Sequence, residues 1–144
     1  MPLATIHVLT GHPRPTLKAL LREFSATYAR IMESPVERLQ VWIQEIDPEL
    51  YAIAGEPADE ALARGPRGEL EIPLIRLVMM EGRPQSQADA AIQELSACVA
   101  RHLGGDPARV RVEIQTVPPE RWGIGGTPAS VLRRAEIEAR RRAG

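Results

Sequence analysis

From Leu3 to Leu9 every residue except His7 is apolar or β-branched, the pattern of a strand with two covered faces. His12-Pro-Arg-Pro interrupts it. Leu17, Leu20, Leu21, Phe24, Tyr28 and Ile31 then recur at helical spacing and give about five turns one apolar face. Ser34-Pro35 ends that helix, and Leu39 to Ile46 predicts a second strand with Val41 and Ile43 on one side. The same succession returns further on. Pro73 to Met80 predicts a strand, Gln85 to Leu103 a helix closed by Gly104-Gly105, and Val110 to Val117 another strand. A single helix between two strands calls for parallel pairing with a right-handed crossover.

The recurrence is a repeat. A shift of 71 residues sets PLATIHVLTGHP over PLIRLVMMEGRP, EFSATYAR over ELSACVAR, and RLQVWIQE over RVRVEIQT, without a gap. Identities occupy 20 of 62 aligned positions, too many for chance over an ungapped stretch. The chain therefore divides into a first β-α-β unit (1–63), a Gly-, Pro- and charge-rich linker (64–72), a second unit (73–135) and a charged helical tail (136–144). The expected fold class is α/β: two tandem β-α-β units form a four-stranded sheet with both helices on one face. The opposite face then lacks a cover. With apolar residues on it, it predicts self-association into a closed oligomer.

Composition narrows the function. Eighteen Lys and Arg against 19 Asp and Glu give a net charge of -1, which is no electrostatic footprint for nucleic acid. Aromatic residues are 3% of the chain, too few for a base-stacking platform. One cysteine, Cys98, excludes a disulfide framework; on the apolar helix face it reads as core. The three histidines are not at metal-ligand spacing, so no metal is expected, and Gly-Ile-Gly-Gly after Trp122 suits a tight turn rather than a dinucleotide. No apolar run reaches the roughly 20 residues of a membrane span. The N-terminus lacks the basic leader of a signal peptide, so a cytoplasmic setting is expected. The run SVLRRAEIEARRRAG carries opposite charges at i,i+4 and reads as a solvated helix.

The repeat brings out a set of motifs. They are Pro2 directly after Met1, IHVLTG and MMEGR at the strand ends, SPVERLQVWIQE, PARVRVEIQT, and RWGIGGTPASVLRR. With them each unit resembles a whole 4-oxalocrotonate tautomerase subunit, and the chain resembles a fused member of the tautomerase superfamily. The resemblance implies a trimer packed as a pseudo-hexamer. It also implies chemistry without a cofactor on a small carboxylate substrate, with no nucleic-acid or membrane partner.

What the resemblance implies for the site divides between the two units. The base is an N-terminal proline freed by removal of the initiator methionine, which only Pro2 can supply; Pro73 carries an amide nitrogen with no basicity. The arginines that hold carboxylates match Arg83 and Arg111 in the second unit, where the first has His12 and Gln40. The aromatic wall matches Trp122, with Tyr51 as its first-unit counterpart. A complete site would join Pro2 from one unit to Arg83, Arg111 and Trp122 from another. The implied reaction is keto–enol or allylic proton transfer in a 2-oxo or 2-hydroxy-dienoic acid. Alternatives on the same scaffold are a dehalogenase, a decarboxylase, or a non-catalytic binding or assembly protein. Where dehalogenase relatives carry a glutamate in the Gly-rich turn, this chain has Ile53 and Ile124.

Overall fold

The computed structural model describes residues 2–143. The first unit comprises β1 (Leu3–Leu9), α1 (Arg14–Ile31), β2 (Gln40–Ile46), a hairpin of β3 (Ala52–Ile53) and β4 (Glu56–Pro57), and a short α2 (Ala58–Leu62). A turn of helix, α3 (Arg67–Leu70), lies in the connecting segment. The second unit repeats the order: β5 (Leu74–Met80), α4 (Gln85–Leu103), β6 (Arg111–Val117), a hairpin of β7 (Gly123–Ile124) and β8 (Thr127–Pro128), and α5 (Ala129–Leu132). Helix α6 (Arg134–Ala143) follows.

The main sheet has the order β2-β1-β5-β6. Within each unit the strands pair in parallel; β1 and β5 meet antiparallel at the centre, with Leu3 opposite Val78 and His7 opposite Leu74. The units are thus related by a pseudo-twofold axis through the middle of the sheet. Ala4, Ile6 and Val8 from β1 and Ile75, Leu77 and Met79 from β5 point to one face and are buried under α1 and α4. There they pack with Leu20, Phe24, Tyr28, Leu95 and Val99 in one core. The identical letters of the repeat also clamp the helices together. Arg30 on α1 pairs with Glu94 on α4, and its counterpart Arg101 on α4 pairs with Glu23 on α1. One glutamate and one arginine per copy, seven residues apart, serve both contacts because the helices cross antiparallel.

Three details go beyond the sequence reading. The uncovered sheet face carries apolar residues among polar ones: Leu3, Val78 and the exposed Trp42 share it with Thr5, Gln44 and an Arg76–Glu113 pair at 3.7 Å. The segment 64–72 does more than connect the units. It folds back as α3, and its Glu71 is 5% exposed. The C-terminal helix is largely exposed but not merely solvated, because Glu136 accepts two hydrogen bonds from Arg38, at 2.8 and 3.0 Å.

Candidate active site

The antiparallel centre of the sheet decides which residues meet. Pro2 precedes Leu3, which faces Val78, so Pro2 lies across from the end of β5. Arg83 follows that strand by three residues. Pro2 and Arg83, from different units, therefore share one end of the sheet. Pro2 is buried there, and its carbonyl accepts the Gln40 N–H at 3.2 Å. The removal of Met1 concerns a residue outside those described.

Arg111 lies elsewhere. It opens β6 opposite Leu74, at the far end of the same sheet, where its N–H bonds the Pro73 carbonyl at 2.9 Å. Six strand steps of about 3.4 Å put it roughly 20 Å from the Pro2 end. Its guanidinium is exposed and donates to the Ala108 carbonyl at 3.0 Å. Within one chain Pro2 and Arg83 thus lie toward one end of the sheet and Arg111 toward the other. Trp122 is half-buried where the β7–β8 hairpin begins, past the end of β6. Gly125 and Gly126 turn that hairpin with φ of +56° and +87°, the turn conformation expected of the glycine run.

At the Pro2 end is a cavity of about 290 Å³. The first unit contributes Glu33 and Arg38; the second contributes Met80, Arg83 and Ile124. Arg133 and two residues of α6, Glu136 and Arg140, close another side. Four guanidiniums face two carboxylates. Arg83 Nη1 donates to the Met32 carbonyl at the end of α1 (2.7 Å) and to Gln87 Oε1 (3.3 Å), a cation at a helix C-terminus. Its Nε is buried without a hydrogen-bond partner. Burial, and after it the charge of Arg140, pull the Arg83 pKa down to about 10.

A separate, smaller cavity of about 180 Å³ lies at the other end, lined by His7, Tyr51, Glu71, Ile72 and Arg76 among others; of the positions the repeat matches to the first cavity it shares Leu9. Desolvation, then Arg76, lowers the His7 pKa. His12 stands where the Pro2 end has Arg83, and an anion sits on it: Glu71 Oε1 lies 2.7 Å from His12 Nε2. The other carboxylate oxygen accepts the Leu9 N–H at 2.6 Å. Arg109, the counterpart of Arg38, donates to the carbonyls of Leu70 (2.7 Å) and Glu71 (3.2 Å). The linker therefore fills this end with its own carboxylate. Gln40 and Tyr51 are separated by the length of the sheet, Gln40 at the Pro2 end and Tyr51 at this one.

Sequence reasoning missed Arg38, Glu71, Arg133 and Arg140. Arg38 had a signal, its identity with Arg109 across the repeat. Arg140 had none, since a charge run on a helix looks solvated wherever the helix docks. A further trio, Glu23, Cys98 and His102, comes within 4.8 Å, although His102 shares no spacing motif with the other histidines. Glu23 is already engaged by Arg101 and His102. Burial pushes the Cys98 thiol up to about 11, which holds the proton a metal would have to displace.

Comparison with known proteins places the chain. A family profile described as "Tautomerase enzyme" matches residues 73–131. A 2-hydroxymuconate tautomerase of Pseudomonas putida is 41% identical over 63 residues, 44% of this chain and all of that protein. One from Comamonas testosteroni is 38% identical over the same shares. Among solved structures, a native fused 4-OT superposes with a TM-score of 0.80 at 24% identity, covering 92% of this chain and 99% of that one. A fused 4-OT asymmetric trimer gives 0.78 at 22% identity, over 90% and 98%. At these identities the structural matches speak for the fold.

Proposed function

The chain belongs to the tautomerase family, and on that premise we propose that it is a cofactor-independent isomerase acting on a small 2-oxo or 2-hydroxy-dienoic acid. Pro2, with Met1 removed, is the base. The observation that supports this reading is that the β1–β5 register puts Pro2 and Arg83 toward the same end of the sheet, where the cavity lined by Arg83 carries more guanidiniums than carboxylates.

An unperturbed α-amino group has a pKa of roughly 7.7 to 8.0 and is mostly protonated at neutral pH. Guanidiniums nearby disfavour a further positive charge and shift that value toward working pH. The neutral amine takes a proton from the substrate, becoming a cation as the substrate becomes a dienolate. The same proton returns to a more distant carbon, so the cycle is redox-neutral and the amine is regenerated. Arg83 binds a carboxylate or steadies the enolate oxygen while charge develops. Arg111, far from Pro2 in its own chain, would act at a neighbouring protomer's site. That is the role a trimer gives it, and a trimer also covers the half-apolar sheet face.

Intact mass establishes whether Pro2 is the first residue. Ketonisation of 2-hydroxymuconate or phenylenolpyruvate, followed by absorbance, is expected to fall ~10²–10⁴-fold in Pro2→Ala. Arg83→Ala is expected to fall as well. If neither variant slows turnover, the site assignment is wrong.

A further inference from the structure

The C-terminal helix lies beyond the matched family segment, which ends at residue 131, yet it builds one side of the cavity. We infer that Arg140 is a specificity-determining residue: with Arg83 it forms a subsite for one carboxylate of a dicarboxylate, so the site prefers dianions to monoanions. This inference rests on the tautomerase reading of the same cavity and deepens it.

Four observations support it. First, the helix is held in place over the cavity. Glu136 accepts both hydrogen bonds from Arg38, and Arg140 lies four residues on, on the same helix face. Second, the docked helix brings two cations together. Both line the cavity, the charge of Arg140 acts on Arg83, and among the described residues Arg83 hydrogen-bonds a carbonyl and an amide oxygen, with the Glu33 carboxylate acting on it only at longer range. Like charges held together in a partly buried cavity are unfavourable until an anion joins them. Third, polar capacity is left over there: Arg83 Nε is buried without a hydrogen-bond partner.

Fourth, the molecule contains its own control. The segment after the first unit folds over the Pro73 end, and the segment after the second folds over the Pro2 end. The first delivers a carboxylate, Glu71, to His12. The second brings Arg140 beside Arg83 and its carboxylate, Glu136, to Arg38. Among the described residues the cavity's lining has four guanidiniums to two carboxylates, the sign that suits a carboxylate ligand. The volume of about 290 Å³ is at the low end of ligand sites, which run from roughly 300 Å³ upward, so the dianion is a small one.

The test is a pair of ligands differing in one carboxylate and unable to tautomerise: muconate and sorbate. Calorimetric titration of the full-length protein is expected to show muconate binding at least ~10-fold tighter than sorbate, as a charge-assisted pair allows. Arg140→Gln is expected to remove most of that ratio through muconate alone, leaving sorbate within about twofold, and Arg140→Lys to keep part of it. Arg140 is on a surface helix, and circular dichroism checks that the variants fold. An unchanged ratio in Arg140→Gln, or equal weakening of both ligands, overturns the inference. The titration does not depend on turnover. A protein that ketonises dienols but shows no Arg140-dependent ratio loses the subsite only. One that keeps the ratio but ketonises nothing loses the tautomerase reading only.

Discussion

Glu71 gives the sharpest test of the idea that one end of the sheet is plugged by the chain itself. Its carboxylate accepts the Leu9 N–H and contacts His12, and both partners are nearly inaccessible: Leu9 is 2% exposed and the His12 side chain 6%. In Glu71→Ala the Leu9 amide becomes a buried donor without an acceptor, which alone costs about 1–3 kcal/mol. The imidazole nitrogen loses its hydrogen-bond partner as well, at a further cost of about 1–3 kcal/mol. Glu71→Gln keeps an acceptor for Leu9 and much of the shape, so about 1–2 kcal/mol is expected. Urea unfolding at fixed protein concentration measures both. A second readout is local. Arg67, whose Nη2 donates to the Thr10 carbonyl at 3.1 Å, is a trypsin site held down by the folded linker. Cleavage there should be slow in the wild type and rapid in Glu71→Ala. If Glu71→Ala loses under ~1 kcal/mol and Arg67 stays protected, the linker is not anchored by its carboxylate and the argument from the plugged end fails.

Other consequences are independent of that plug. Ala54 has φ +52° at the hairpin position where the second unit has Gly125 at +56°. Relief of about 1–2 kcal/mol of left-handed strain exceeds the ~0.5–1 kcal/mol entropy cost of glycine. Ala54→Gly should therefore stabilise by a few tenths to ~1 kcal/mol in the same urea experiment, and a loss would refute the strain argument. Cys98, 2% exposed with its thiol raised to about 11, should resist alkylation at pH 8 in the native protein and react on unfolding; fast native labelling would contradict the burial. Burial, then the charge of Arg140, holds the Arg83 pKa below its ordinary range, so its charge is disfavoured in the empty fold. Removing that charge in Arg83→Gln should weaken muconate binding in the calorimetric titration at neutral pH; an unchanged affinity would contradict the role proposed for it.

The units, their β-α-β order and the shared helical face were legible because they rest on local periodicity and on a 20-in-62 self-match. The sequence also separated Pro2 from Arg83 and Arg111 by unit. What it could not carry was the sense of the β1–β5 pairing. That one register, Leu3 with Val78, sends Arg83 to the Pro2 end and Arg111 to the opposite one. A parallel centre would have exchanged them, and nothing in either strand's own pattern distinguishes the two. The roles of Glu71 and Arg140 were hidden for a related reason. Both sit in segments whose composition reads as solvent-facing, and only docking against a distant residue, His12 or Arg83, gives them chemistry.

Duplication followed by divergence explains why the two ends differ as they do. In a pseudo-symmetric pair each end inherits the same parts: a proline opening a strand, a position for a cation after the neighbouring strand, an arginine from the turn before the second strand, and a segment that folds over them. The second proline is an amide, so its end cannot hold the base and gains nothing from an open, cationic pocket. Leaving one there would mean two clustered guanidiniums with nothing to offset them. His12 stands there in place of an arginine, and the Glu71 carboxylate lies 2.7 Å from its ring. On the proposed reading the reverse holds at the Pro2 end: Arg140 adds a cation beside Arg83, and the anion that would join them is the ligand, whose entry would relieve the repulsion between the two.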